Sequence, residues 1–287
     1  MNVKKVVFPV AGLGSRFLPA TKAIPKEMLP IIDKPLIQYA VEEAVDAGFS
    51  ELIFIIGDTK QAIKDHFNFK PNLDISNLTE VKKNFLSEMH KVIPDYVTCE
   101  YIIQDEPLGL GHAILQAKED IGEEPFAVVL ADDLINSQPS VLKQMKNHFK
   151  DKDTSIIAIQ KIKNCESLNY GVIDYKEKCS NLFKTTNIIE KPLPEKAPSD
   201  YGVVGRYIFS NKIFTFLEKI SAGVGNEIQL TDAIKLMLEE NLVYGYEFKG
   251  KRHDCGTKLG FIEANISYAL NDPDYADELK EFIKNLL

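Results

Sequence analysis

Three cations follow a glycine pair near the N-terminus. Gly12 and Gly14 come directly after the first apolar run of the chain, and Arg16, Lys22 and Lys26 follow shortly afterwards. Glycine lets backbone N–H groups approach an anion closely, while arginine and lysine supply positive charge. Several prolines restrict the path of the same stretch. The pattern therefore predicts a loop that binds phosphate groups.

Two common phosphate-binding fingerprints do not fit this loop. The dinucleotide fingerprint requires a third glycine at position 17, where this chain has Phe17. The G-x-x-x-x-G-K-[ST] pattern of P-loops is also missing from the sequence. A nicotinamide-dependent oxidoreductase is therefore disfavoured. A turn with solvated cations stays open as the plainer interpretation of the glycine pair.

A pair of aspartates follows a second apolar run. Asp132 and Asp133 come directly after the predicted strand 126–130. In open α/β sheets, ligands bind at the carboxyl ends of strands, and carboxylates suit hard divalent cations. Asp132 is the best candidate metal ligand, and Asp133 either supports it or caps the turn. The pattern alone does not decide between a metal ligand and a turn residue.

The elements that must position these side chains alternate between strands and helices in the first half of the chain. Apolar runs predict strands, and apolar pairs at helical spacing predict helices. Residues 70–93 have the composition of an insertion. The strands are predicted at 3–11, 51–57, 96–104 and 126–130, and the helices at 35–48, 59–67 and 111–120.

The second half is richer in closely spaced strands, which predicts antiparallel pairs. No linker-like tract interrupts the chain, so we expect a single domain over 1–287 with a helical tail at 257–287. Strands are predicted at 154–160, 170–175, 184–191, 201–209 and 242–250, helices at 211–219 and 230–240, and two final helices divided near Asp272.

Composition excludes several classes of protein. The 287 residues carry a formal net charge of −8, so a broad basic surface for nucleic acid or anionic lipid is not expected. The four cysteines are scattered without a C-x-x-C pair, which is typical of reduced thiols. No apolar run is long enough for a membrane span or a signal peptide. We expect a cytoplasmic protein.

The loop GLGSRFLPATKAIPKEMLP at 12–30 resembles the signature of the sugar-nucleotide pyrophosphorylases, with Ser15 where threonine is common. The resemblance covers nearly the whole chain. Later stretches that match it in order are QDEPLGLGHAI (104–114), LADDLI (130–135), NYGVI (169–173), IIEKP (188–192), GNEIQLTDAI (225–234) and HDCGT (253–257).

This resemblance implies a fold and an activity. The fold is α/β, a Rossmann-like mixed and mostly parallel sheet flanked by helices, as in GT-A-like nucleotidyltransferases. The activity is formation of UDP-glucose and pyrophosphate from UTP and glucose 1-phosphate, with Mg²⁺ as cofactor. The sugar phosphate is already anionic, so positioning and electrostatic stabilisation suffice and no general base is needed. A homodimer or homotetramer with contacts through the tail is also implied.

The resemblance also implies roles for individual residues. Arg16 and Lys26 hold the triphosphate, Lys191 holds the attacking phosphate, and Asp132 and Asp254 bind the metal ion. The amide of Gln104 can read the imide edge of uracil, and the carboxylate of Glu190 can accept bonds from sugar hydroxyls. The full set of implied substrate contacts is Ala11, Gly12, Gly14, Glu27, Gln104, Gly109, Asp133, Gly171, Glu190 and Gly205.

Two alternatives remain at the level of sequence. A sister thymidylyl- or guanylyltransferase would use the same chemistry on another base or sugar. A non-catalytic regulatory homologue would typically lack the metal-binding aspartate or the signature cations. This chain keeps Arg16, Lys26, Asp132, Lys191 and Asp254, which disfavours the non-catalytic alternative.

Overall fold

The computed structural model of the chain describes residues 3–68, 79–80, 92–223, 226–240 and 243–286. Nearly all of the insertion predicted at 70–93 lies outside these residues. Among the described residues, no helix is long and apolar enough to cross a bilayer.

Strands and helices alternate through the first half, as predicted. The strands are β1 (Lys5–Pro9), β2 (Pro30–Ile31), β3 (Lys34–Pro35), β4 (Glu51–Ile56), β5 (Thr98–Ile103), β6 (Phe126–Val129), β7 (Asp133–Asn136), β8 (Ser155–Lys161), β9 (Gly171–Cys179), β10 (Leu182–Glu190), β11 (Tyr201–Phe209), β12 (Val243–Glu247) and β13 (Lys251–Asp254). The α-helices are α1 (Leu36–Asp46), α2 (Gln61–Phe67), α3 (Leu110–Leu115), α4 (Lys118–Ile121), α5 (Val141–His148), α6 (Ile213–Leu217), α7 (Leu230–Glu239), α8 (Lys258–Ala269) and α9 (Ala276–Leu286).

The central sheet is mixed, which confirms the predicted fold class. Its nine strands follow the order β5-β4-β1-β6-β11-β8-β12-β10-β9. The run β5-β4-β1-β6 is parallel throughout, as is the β8–β12 pair. The pairs β6–β11, β8–β11, β10–β12 and β9–β10 are antiparallel. Parallel pairing therefore dominates the N-terminal half, and antiparallel pairing enters with the close-set strands of the second half.

Helices cover both faces of this sheet. The side chains of β1 alternate, because Val6 and Phe8 pack into one buried cluster and Val7 into the other. The first cluster takes in residues of α1 and α5, and the second takes in residues of α3, α6 and α7. The predicted helix 111–120 is divided into α3 and α4. With both faces covered, the carboxyl-end edge of the parallel strands is left for a site.

A small two-stranded ribbon beside the main sheet brings distant acids together. β7 pairs with β13 in antiparallel register, and Asp133 lies opposite Asp254. The backbone N–H of Cys255 donates to the carbonyl oxygen of Asp132 at 2.8 Å. Neither of these short strands was predicted from the sequence. They explain how Asp254 comes to lie beside the aspartates that follow β6.

Candidate active site

Two adjoining cavities open at the carboxyl ends of the parallel strands. The larger cavity, of about 420 Å³, is lined by residues that follow β1 and β5. The smaller cavity, of about 220 Å³, is lined by residues from the β9–β11 region and the β7–β13 ribbon. Leu110, Leu130 and Asp132 border both. The site can thus hold two groups side by side, with Asp132 at their common boundary.

The glycine-rich loop places Lys26 in the larger cavity. The loop runs through three single 3₁₀ turns, at Ser15–Phe17, Ala20–Lys22 and Lys26–Met28. Gly14 has a φ of 65°, and a Cβ there would lie 3.1 Å from the Cβ of Lys26. Gly14 therefore lets the loop fold closely against Lys26, and it lies behind the cavity wall. Lys22 is exposed and lines neither cavity.

Gly12 and Ala11 do line the larger cavity. A Cβ added at Gly12 would meet no atom within 4 Å, so its backbone faces open space. Arg16, by contrast, lines the smaller cavity and donates from Nη1 to the carbonyl oxygen of Gly256 at 3.4 Å. Arg16 and Lys26 of the loop therefore line different cavities.

Lys26 and Asp132 form an ion pair at the boundary of the cavities. The Nζ of Lys26 lies 2.6 Å from Oδ2 of Asp132. Burial is the largest single influence and opposes ionisation of both groups, but the attraction within the pair and the contributions of neighbouring groups together outweigh it. The pKa of Lys26 is therefore raised and the pKa of Asp132 is lowered. Both side chains are charged at neutral pH, and they place one positive and one negative charge where the cavities meet.

Glu27 lies behind the loop, away from both cavities. Its carboxylate is buried and pairs with Nζ of Lys60 at 2.7 Å. Burial raises the pKa of Glu27 more than the charges of Lys60 and Lys26 lower it. The pair joins the Lys26–Met28 turn to the segment that follows β4. Lys60 was not predicted from the sequence as a residue near the site.

Gln104 is buried at the end of β5 and lines the larger cavity. Its Nε2 lies 2.7 Å from Nδ1 of His112, which fixes the position of the amide group. Gly109 lines the same cavity with a φ of 95°, and a Cβ there would lie 2.8 Å from the Cβ of Glu227. Only glycine fits this conformation and this close contact.

Carboxylate oxygens of Asp132 and Asp254 approach the same point beside Gly256. A Cβ added at Gly256 would lie 3.0 Å from Oδ1 of Asp254 and 3.1 Å from Oδ2 of Asp132, so the two carboxylates face one small space. Burial raises the pKa of Asp254, and so do the charges of Asp133 and Asp132. Two adjacent carboxylate oxygens fit a hard cation such as Mg²⁺, which usually keeps water or phosphate as its other ligands.

No group of three or more metal-binding side chains occurs in the part of the chain that the structure describes. A site built on Asp132 and Asp254 would therefore need ligands from a bound substrate or water. That requirement is typical of Mg²⁺ sites that act on phosphates.

Glu190 and Lys191 lie in the smaller cavity at the end of β10. The carboxylate of Glu190 accepts a hydrogen bond from Thr231 Oγ1 at 2.6 Å, and its other oxygen lies 3.2 Å from Nζ of Lys191. Lys191 has a φ of 44°, an uncommon conformation for a residue other than glycine. A Cβ at Gly171 would approach Oε2 of Glu190 to 3.3 Å.

Asp133 is paired within the protein. It is buried, and its Oδ1 accepts a hydrogen bond from Nε of Arg252 at 2.6 Å. Its Oδ2 accepts a hydrogen bond from the backbone N–H of Gly205 at 2.6 Å. Asp133 also lines the smaller cavity, as do Gly205 and Arg252.

The structure brings most of the predicted site residues together. Gly14 and Glu27 are the two that line neither cavity. The larger cavity contains Ala11, Gly12, Lys26, Gln104, Gly109 and Asp132, and the smaller contains Arg16, Asp132, Asp133, Gly171, Glu190, Lys191, Gly205 and Asp254.

Sequence reasoning missed four residues at or next to the site: Lys60, Tyr170, Thr231 and Arg252. Thr231 and Tyr170 lie within stretches that match the family motifs. The motifs therefore indicated that both residues lie near the site, but no role was predicted for either. Arg252 stands two residues before Asp254, and a cation so close to a predicted metal ligand was the available signal. Nothing in the sequence indicated that Lys60 is buried.

Known proteins resemble this chain over nearly its full length. The family model described as "Nucleotidyl transferase" matches residues 5–270. The chain is 45% identical over 286 residues to the UTP–glucose-1-phosphate uridylyltransferase of Bacillus subtilis, covering 100% of this chain and 98% of that protein. It is 47% identical over 285 residues to the protein of the same name from Staphylococcus haemolyticus, covering 99% of each.

Solved structures give the same result. A UDP-glucose pyrophosphorylase crystallised with UDP-glucose has a TM-score of 0.86 and 43% identity, over 94% of this chain and 100% of that one. The UTP-bound UGPase from Acinetobacter baumannii has a TM-score of 0.90 and 36% identity, over the full length of both chains. The resemblance inferred from the glycine-rich loop is confirmed, and the chain belongs to the nucleotidyl transferase family.

Proposed function

We propose that this protein is a UTP–glucose-1-phosphate uridylyltransferase, which makes UDP-glucose and pyrophosphate from UTP and glucose 1-phosphate. The observation that carries the proposal is the Lys26–Asp132 pair at the boundary of two cavities, with Asp254 facing the same space. The near full-length relatives at 45% and 47% identity carry that name, which supports the choice of base and sugar.

The larger cavity takes UTP. Gln104 offers both an amide donor and an acceptor, which match the alternating groups on the edge of uracil. Gly109 lets the backbone approach the base, while Ala11 and Gly12 bring backbone groups to the nucleotide. Lys26, at the inner end of the cavity, binds the triphosphate as a point charge.

The smaller cavity takes glucose 1-phosphate. Glu190, held by Thr231, accepts hydrogen bonds from sugar hydroxyls. Gly171 keeps the space beside Glu190 open, because a Cβ there would lie 3.3 Å from Oε2 of Glu190 and crowd the carboxylate that contacts the sugar. Lys191 is half-exposed at the mouth and holds the phosphate of the sugar, and Arg16 adds a planar donor group on the same side.

The two cavities hold the reacting groups in line. A phosphate oxygen of glucose 1-phosphate attacks the α-phosphorus of UTP, a new P–O bond forms, and the bond to pyrophosphate breaks. The attacking oxygen is anionic at neutral pH, so no residue has to remove a proton. Lys191 and Lys26 orient the two phosphates and offset the negative charge in the transition state.

Asp132 and Asp254 hold Mg²⁺ in this proposal. When bound, the ion neutralises charge on the triphosphate and on the leaving pyrophosphate. Asp133 supports the site through its contacts with Arg252 and Gly205.

A panel of nucleotides and sugar phosphates tests the proposal. UTP, dTTP, GTP and CTP are each paired with glucose 1-phosphate, galactose 1-phosphate and mannose 1-phosphate, and released pyrophosphate is measured with Mg²⁺. We expect the highest kcat/KM for UTP with glucose 1-phosphate. A preference for dTTP or GTP would point to a sister enzyme, and no pyrophosphate with any pair would point to a non-catalytic homologue.

We propose further that the chain forms one domain and assembles as a homodimer or homotetramer through the tail 257–287. In this tail, Ile266, Tyr275 and Phe282 are exposed apolar residues that line one groove between α8 and α9. Replacement of Phe282 by Asp should lower the molar mass measured by light scattering.

The free cysteines among the described residues, together with the nucleotide substrate, support a reducing cytoplasmic location.

A further inference from the structure

A buried arginine joins three parts of the smaller cavity wall. The side chain of Arg252 is 8% exposed and lies on β13. Its Nε donates to Oδ1 of Asp133 at 2.6 Å, and its Nη2 contacts the same oxygen. A forked contact of this kind fixes the plane of the guanidinium group.

The other side of the Arg252 guanidinium group contacts Tyr170, the residue that precedes β9. Nη1 of Arg252 donates to the hydroxyl oxygen of Tyr170 at 2.7 Å, and the guanidinium lies 5.2 Å from the centre of the Tyr170 ring. Tyr170 in turn accepts a hydrogen bond at its carbonyl oxygen from the backbone N–H of Lys191 at 2.9 Å. Arg252 is therefore linked to the backbone of Lys191 through one residue.

Asp133 extends the same network to β11. Its Oδ2 accepts a hydrogen bond from the N–H of Gly205, and a Cβ at Gly205 would lie 2.8 Å from that oxygen. The position of Asp133 thus determines how closely β11 can approach the cavity. Without Arg252, Asp133 would be a buried carboxylate with one backbone donor, which is a costly arrangement.

Arg252 also faces Asp254. Its Nη2 lies 3.7 Å from Oδ2 of Asp254, while Oδ1 of Asp254 accepts a hydrogen bond from the N–H of Gly256 at 3.0 Å. The two oxygens of Asp254 are therefore directed differently, one toward Arg252 and the other toward the space shared with Asp132.

We propose that Arg252 is the positioning residue of the sugar side of the site. It holds Asp133, Tyr170 and Asp254 in one arrangement, and through them it sets the wall that contacts the glucose moiety. This inference rests on the proposed function, because it takes the smaller cavity as the binding place of the sugar.

Comparison of the affinities for UDP-glucose and for UDP distinguishes an effect on the sugar side of the site from an effect on the nucleotide side. Dissociation constants for both ligands and for GDP-mannose are measured by calorimetry without Mg²⁺, because Arg252 also faces the proposed metal ligand Asp254. The proteins compared are the wild type, Arg252→Met, Arg252→Lys and the control Lys251→Met. Lys251 is the preceding residue, is exposed, and loses the same charge in its variant. Melting temperatures are recorded for all four proteins.

We expect Arg252→Met to weaken UDP-glucose binding about tenfold or more, because buried polar groups lose their partner. UDP binding should change by less than about twofold, since the larger cavity is not lined by Arg252. Arg252→Lys should recover part of the loss, because lysine retains the charge near Asp254 but lacks the fork for Asp133 and Tyr170. Lys251→Met should match the wild type.

The outcomes are distinguishable. Equal weakening of both ligands, or no weakening of either, would overturn the positioning role. A lower melting temperature with an unchanged ratio of the two dissociation constants would show that Arg252 only stabilises the fold, which also overturns it. Failure of the wild type to bind UDP-glucose more tightly than GDP-mannose would instead count against the proposed function.

Discussion

The two cavities of the site are built in different ways. The larger cavity has a wall made mostly of small and apolar residues from the two segments that follow β1 and β5, with Lys26, Gln104, Asp132 and Glu227 as its polar side chains. The smaller cavity is lined by charged side chains that are already paired with one another, among them Glu190, Asp133 and Arg252. Two short loops shape most of the first wall, whereas side chains paired across the fold shape the second.

This difference has a physical consequence. A wall of backbone N–H groups is fixed by the path of the chain, so a single side-chain replacement changes it little unless the side chain itself touches the ligand. A wall of paired charges is cooperative, because each member positions the next and loss of one leaves another buried without a partner. We therefore expect the two cavities to respond differently to substitution.

The largest effect is expected at the boundary that both cavities share. Asp132→Asn keeps the shape of the side chain and removes its charge, so it loses a proposed metal ligand and the partner of Lys26. We expect turnover to slow about 10²–10³-fold and the Mg²⁺ requirement to rise. The measurement is pyrophosphate release across a range of Mg²⁺ concentrations.

The exposed Asp151→Asn is the matched control for this substitution. If Asp132→Asn kept the rate and the Mg²⁺ dependence of the wild type, the shared boundary would not be the reaction centre. The two cavities would then not meet at the reacting groups.

Lys26→Met should give the next largest loss of activity. The loss should affect the use of UTP, the ligand of the larger cavity, and should leave the binding of glucose 1-phosphate nearly unchanged. The substitution removes a charge that lies near the triphosphate in the proposed complex, so we expect kcat/KM for UTP to fall about 10²-fold. The KM for glucose 1-phosphate should change little, because Lys26 does not line the smaller cavity. Steady-state kinetics with each substrate varied in turn provides the measurement.

Lys22→Met is the control for Lys26→Met, since Lys22 is exposed on the same loop and loses the same charge. Equal losses in the two variants would mean that the charge of the whole loop matters and that the position of Lys26 does not.

The loop and the ribbon also differ in how far sequence analysis could predict them. Lys26 and Gly12 belong to one short motif, so their types and spacing were enough to indicate a phosphate-binding loop. Asp254 was predicted as a site residue from the resemblance alone. The strands β7 and β13, which place it beside Asp132, are four residues each and have no clear alternation of apolar residues, so no local pattern predicted them.

Arg252 and Lys60 could not be predicted for a related reason. Both are charged residues that are buried only because a carboxylate from a distant part of the chain meets them. Composition favours exposure for lysine and arginine, and no local pattern identifies the partner. The fold class, in contrast, follows from apolar runs that repeat along the whole chain, and it was predicted correctly.

The buried Lys60–Glu27 pair lies behind the glycine-rich loop. Its removal tests whether the larger cavity also depends on buried charges. Lys60→Met leaves Glu27 buried and unpaired, so we expect the free energy of unfolding to fall by about 3–5 kcal/mol. The double variant Lys60→Met, Glu27→Gln should recover most of this loss, because no charge is then buried. Urea unfolding at neutral pH measures both, and the exposed Lys64→Met is the control.

The pKa of Glu27 gives the sign of the dependence on pH. Because the pKa is raised in the folded protein, ionisation of Glu27 favours the unfolded state. Its contribution to stability is fully present below the unfolded pKa and is lost as pH rises from the unfolded pKa through the folded pKa. Lys60→Met removes an attraction that lowers the pKa, so the loss of stability should be smaller at pH 5 than at pH 7. A loss that did not depend on pH would contradict the assignment to the unpaired carboxylate.

The smallest effect is expected from Thr231→Val, which tests the smaller cavity at one link. Thr231 donates to Glu190 at 2.6 Å, and valine keeps the shape of the side chain without the hydroxyl group. Loss of one such bond is worth about 1 kcal/mol, so we expect the KM for glucose 1-phosphate to rise about fivefold. The KM for UTP should stay the same, and the exposed Thr215→Val should match the wild type. If the KM for glucose 1-phosphate did not change, Glu190 would hold its position without Thr231, and the smaller cavity would be less cooperative than its paired charges indicate.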